Sequence, residues 1–122
     1  MLYKKDCDKI ICSDLKKAMK YFGGNRIIAI SLLSRINAIE QATTILDIIN
    51  QPQFRFHKLL DFGKHKDYEG LFAIDVKTKM EKWRIIIEPL DENDEPFNPC
   101  NIDKIANMVK AVLIREVSNH YE

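Results

Sequence analysis

The sequence predicts an α+β domain in which N-terminal helices pack on one face of a curved four- to five-stranded antiparallel sheet. Three observations predict it. Apolar residues recur at helical spacing through the first half, β-branched and aromatic runs fill the second half after Pro52, and the polar linkers between those runs are too short to hold crossover helices. A length of 122 residues suits one hydrophobic core, so residues 1–122 read as a single domain.

The opening "MLYKK" is a candidate edge strand. In "DLKKAMKYFGG", Asp14 stands as a helix cap, Leu15, Ala18, Met19 and Phe22 form one stripe, and Gly23-Gly24 stops the helix. The longest helix is expected in "NRIIAISLLSRINAIEQA", capped by Asn25, with Ile28, Leu32, Leu33, Ile36 and Ile39 on its buried side. Thr43 or Thr44 caps a last short turn through Ile45, Leu46, Ile48 and Ile49, which Pro52 ends. Then "FRFHKL", "LFAIDV" and "WRIIIEPL" read as strands. The acidic, proline-bearing "DENDEPFNP" reads as loop and "NIDKIANM" as a helical turn, before "VKAVLIREVSNHY" closes the sheet.

Strict alternation sets Trp83, Ile85 and Ile87 on one face and Arg84, Ile86 and Glu88 on the other. In the last strand it sets Val109, Ala111, Leu113, Val117 and Tyr121 against Lys110, Val112, Ile114, Glu116, Ser118 and His120. Arg55, His57, Arg84 and His120 are thereby candidates to meet on an open, partly polar face, although strand register is not readable at this level.

Composition narrows the function. With 46% apolar and 30% charged residues the chain is that of a folded protein. It has no apolar run long enough for a membrane span and no apolar secretory stretch after "MLYKKDCDK", which points to the cytoplasm. Cys7, Cys12 and Cys100 are odd in number and lack paired spacing, suggesting ordinary thiols rather than a disulfide framework or a zinc site. A net charge of +1 argues against coating nucleic acid by bulk electrostatics. Charge is segregated along the chain, however. Residues 55–84 are base-rich, and five acids fall between Glu88 and Glu95.

Glycine-rich phosphate loops, HExxH and the serine nucleophile elbow are absent from the sequence. His57, His120 and Tyr121 have the chemistry for proton transfer near neutrality. Trp83 and Phe72 read as core. His57, His65 and His120 lack metal-ligand spacing, and no metal or other cofactor is expected.

The ordered motifs "FRFHKL", "GLFAIDV", "KWRIIIEPL" and "VLIREVSNHYE" resemble the second half of RelE/ParE superfamily toxins, nearest the HigB-type killer proteins of type II toxin-antitoxin modules. The resemblance implies a ribosome-dependent, metal-independent messenger RNA endonuclease, with a HigA-like helix-turn-helix antitoxin, the ribosome and the message as partners and no membrane. In that reading the RNA 2′-hydroxyl attacks the adjacent phosphate. His57 and His120 move protons, Arg84 clamps the phosphate, and Tyr121 stacks on a base or orients the phosphate. Arg55, Lys58, Lys64 and Lys66 are the expected RNA-backbone contacts. The sequence departs from the relatives' "HKLKG" at Leu60, where they have lysine. Two alternatives stand beside the nuclease: a ParE-like DNA gyrase inhibitor, and a toxin-fold interaction domain with weakened catalysis.

Overall fold

A computed structural model describes residues 1–59, 70–78 and 80–119. The chain runs β1 (Leu2–Tyr3), α1 (Asp6–Ile11), α2 (Leu15–Tyr21), α3 (Arg26–Gln41) and α4 (Leu46–Ile49). A 3-10 turn (Pro52–Phe54), β2 (His57–Lys58), β3 (Phe72–Asp75), β4 (Arg84–Leu90), α5 (Ile102–Ile105) and β5 (Ala111–Ser118) follow. It is an α+β fold whose single sheet has the order β1-β5-β4-β3-β2. No helix among the described residues is long and apolar enough to cross a membrane.

The starts of α2 and α3 follow from side-chain capping. Asp14 accepts from the Lys17 amide at 3.1 Å, and Asn25 accepts from the Ile28 amide at 3.1 Å. From α3, Ile28, Ala29, Leu32 and Ile36 are buried in the main core, beside Ala18 and Phe22. The threonines expected to cap α4 do not. Their amides donate instead to the Asp47 carboxylate, at 2.8 Å from Thr43 and 3.4 Å from Thr44.

The sheet departs from the antiparallel expectation at one edge. β2, β3, β4 and β5 pair antiparallel, but β1 joins β5 in parallel, Leu2 opposite Leu113 and Tyr3 opposite Ile114. The reason is topological: α1 to α4 intervene before the chain returns to the sheet, so β1 is not bound to a hairpin neighbour.

Alternation along β5 is corrected too. Ile86 pairs with Glu116 and Ile87 with Ile114, leaving Arg115 as an extra residue in a β-bulge. Val112 and Ile114 therefore face the helices together with Val117, while Leu113 pairs with Glu88 on the open face. The run "FRFHKL" is likewise only partly extended. Pro52 starts the 3-10 turn, Arg55 lies in the left-handed region (φ 46°, ψ 52°), and the strand is confined to His57–Lys58.

Beyond Tyr3, the exposed edge of β5 is closed by side chains. The Asp8 carboxylate accepts from the Val117 amide at 3.3 Å, and the Tyr21 hydroxyl donates to the Val117 carbonyl at 2.7 Å. Both edge groups of one residue are thus satisfied without a strand partner. Tyr21 also packs with Phe22 and Trp83, their ring centroids 5.2 and 5.4 Å away, which fastens the end of α2 to β4.

Candidate functional site

The sheet register decides which predicted residues meet. His57 lies opposite Ala73, and Ala73 opposite Ile86; two residues along, Asp75 lies opposite Arg84, and Arg84 opposite Ser118. His57, Asp75, Arg84 and Ser118 therefore share the face turned away from the helices. Lys58 pairs with Phe72, a core residue, so it belongs to the opposite side of β2. His120, Tyr121, Lys64, Lys66 and Leu60 lie outside the described residues.

Asp75 is the hub. Its side chain is 2% exposed and takes Arg55 Nε on Oδ2 at 2.8 Å and Arg55 Nη2 on Oδ1 at 2.9 Å. Arg84 Nε lies 3.1 Å from the same Oδ1, within ion-pair range. Among the described residues, two guanidiniums thus share this one carboxylate. They are not equivalent. The Arg84 side chain is 5% exposed, and its Nη1 donates to the carbonyls of Glu81 and Trp83; the Arg55 side chain is 33% exposed. The phosphate clamp expected of Arg84 is thus sited beneath the surface, and Arg55 carries the accessible guanidinium.

The left-handed turn at Arg55 aims its carbonyl at His57, 2.7 Å from Nδ1. A carbonyl oxygen only accepts, so Nδ1 is the donor of this bond, and whenever the ring is neutral its lone pair is on Nε2. That is the tautomer a proton acceptor needs. One turn therefore sets both the imidazole and the guanidinium.

Arg35, from α3, secures the other end. Its Nε donates to the Asp75 carbonyl at 3.1 Å, its Nη2 to the Lys77 carbonyl at 3.1 Å, and its guanidinium covers the Phe54 ring at 4.7 Å. Asp75 and Arg35 were not singled out by the sequence. A signal existed for Asp75: it is the single acid inside the apolar run "LFAIDV", and a charge in such a run needs a partner. Arg35 gave none, since it reads as an ordinary polar residue of an amphipathic helix.

A second buried carboxylate, Asp8, is 4% exposed, and its Oδ2 has no hydrogen-bond partner among the described residues. Burial raises its pKa above the usual carboxylate range, the Val117 amide and Lys5 partly offsetting this and Glu116 adding to it. Nearby, burial pushes the Cys12 thiol up to about 12. Among the described residues no set of three His, Cys, Asp or Glu side chains gathers to hold a metal ion.

Comparison with protein-family models, curated proteins and solved structures yields no match to this chain.

Proposed function

We propose that this chain is a RelE/ParE-type toxin whose open sheet face binds the backbone of messenger RNA and cleaves it by 2′-hydroxyl attack on the adjacent phosphate. One observation supports it most: His57, Arg55, Asp75 and Arg84 form a continuous hydrogen-bonded and ion-paired assembly on that face. His57 takes the hydroxyl proton at Nε2. Arg55 meets the phosphate with its exposed guanidinium, and Arg84 acts beneath it as a positioning residue through Asp75. His120 and Tyr121 keep the roles that the family resemblance gives them: His120 protonates the 5′-oxygen that leaves as its bond to phosphorus breaks and the 2′,3′-cyclic phosphate forms, and Tyr121 orients the nucleotide. The partners on this reading are a helix-turn-helix antitoxin and the translating ribosome.

The test is induced expression in a bacterial host with mapping of message 5′ ends. Growth arrest with new in-frame ends is expected. Arg55→Gln and His57→Gln should each lower cleavage by about 10² without lowering the melting temperature to match. Intact messages during arrest, accompanied by DNA-damage signalling, overturn the nuclease in favour of the gyrase inhibitor. The 4% exposure of Arg84 favours a reading without catalysis, an interaction domain with weakened chemistry, for which neither arrest nor cleavage is expected.

A further inference from the structure

At the end of the sheet remote from His57, the loop after β4 and the start of β5 enclose an open groove of about 560 Å³. Its apolar lining is Leu90, Phe97, Met108 and Ala111, and Met108 is 59% exposed. Its rim carries Glu92 and Asp94, and neither is held in an ion pair among the described residues. Lys110 also lines it, so the rim's excess charge is negative.

The rim is built in advance. Asp91 spends its own carboxylate inside the loop, Oδ1 accepting from the amides of Asn93 at 2.8 Å and Glu95 at 3.0 Å. The Asp91 amide donates to the Glu95 carbonyl at 2.8 Å, and Leu90 bridges Pro96. The loop therefore presents Glu92 and Asp94 outward on a closed turn whose backbone is already satisfied.

Each candidate occupant can be weighed against this chemistry. Phosphate is repelled by the rim, so the groove is no extension of an RNA path. Among the described residues no three ligating side chains gather here to hold a metal ion. An apolar floor with a flexible, exposed methionine under an anionic rim is complementary to a peptide that alternates cationic and apolar side chains. We propose that this groove docks a Lys- or Arg-bearing amphipathic segment of a partner protein. Leu90 pairs with Ala111 at this end, whereas Arg84 pairs with Ser118 at the other, six residues and about 20 Å along β4. A segment seated here leaves the Arg55–His57 region open, so the inference stands apart from the proposed nuclease.

The experiment titrates a short Lys/Leu amphipathic peptide, and a Glu/Leu peptide of equal length, into the full chain while the Met108 methyl resonance is followed. That resonance is assigned by its loss in Met108→Leu. The Lys/Leu peptide should shift it saturably. Glu92→Gln combined with Asp94→Asn should weaken that binding about tenfold, since both side chains are exposed and Asn tolerates the left-handed φ of 60° at position 94. Met108→Ser should weaken it further with the melting temperature unchanged. Equal binding of the Glu/Leu peptide, or indifference to the Glu92 and Asp94 changes, overturns the proposal. So does a shift of the same methyl by single-stranded RNA, or by dilution of the protein alone, which marks a second copy.

Discussion

Arg55 closes on Asp75 through both carboxylate oxygens, at 2.8 and 2.9 Å, from a backbone position in left-handed geometry. The pair is lopsided, since Asp75 is buried and a third of the Arg55 side chain is open to solvent. The two partners should respond differently to removal. Asp75→Asn removes the buried carboxylate that Arg55 and Arg84 share and should cost about 3–5 kcal/mol. Arg55→Ala leaves Asp75 still neutralised by Arg84 and should cost about 1 kcal/mol, solvent already screening that half of the pair. Urea midpoints at constant m-value measure both, and equal losses contradict the hub assignment.

A buried, raised carboxylate gives the fold a signed pH dependence. The folded-state pKa of Asp8 lies above its unfolded value, so the folded chain holds that proton more tightly. The Asp8 contribution is therefore complete below the ordinary carboxylate range, near pH 4, and is lost as pH rises through the folded pKa. Asp8→Asn keeps an acceptor for the Val117 amide but cannot ionise. Its denaturation midpoint should decline less than the wild type's between about pH 4 and pH 7. Parallel profiles contradict the assignment.

Tyr21→Phe isolates a single hydrogen bond. The ring contacts with Phe22 and Trp83 survive, and the Val117 carbonyl loses its donor in a part-buried position. A loss of about 1–2 kcal/mol is expected, with faster hydrogen exchange at the Val117 amide than elsewhere in β5. Uniform acceleration along β5 argues against a local edge closure.

Much of the helical half was legible because caps and stripes are local. Asp14 and Asn25 announce their helices, and Ile28, Leu32 and Ile36 mark a buried side at 3.6-residue spacing. α1 leaves no such mark in the sequence, because its six residues bury little beyond Ile11 and Asp8 and its cap residue Lys5 makes no side-chain cap bond. The parallel seat of β1 and the Asp75 hub depend on register between segments distant in sequence, which no window of residues encodes. Arg55 reads as a strand residue of "FRFHKL" because nothing in its side chain signals a left-handed backbone. Alternation alone sets it beside His57 on the open face, and Asp75 explains its placement.

The bulge at Arg115 yields the sharpest structural prediction. Alternation read through it places Val112 and Ile114 on the open face, yet both are packed beneath the helices with Val117. Removing Arg115 brings Ile114 and Glu116 together opposite Ile87 and Ile86, the pairs they already make, and restores a regular ladder in which every apolar residue keeps its side. Deletion of Arg115 should therefore fold. Its cost is set by the lost ion pair between Arg115 and Glu88 at 3.1 Å, about 1–2 kcal/mol because Glu88 is largely buried while the arginine is not. Deletion of Leu113 shortens β5 equally but turns Val112 outward or Ile114 away from the helices, and should abolish cooperative unfolding. Thermal melts of the two single-residue deletions decide the matter: similar instability in both shows that the bulge, rather than the pattern of sides, holds β5 in register.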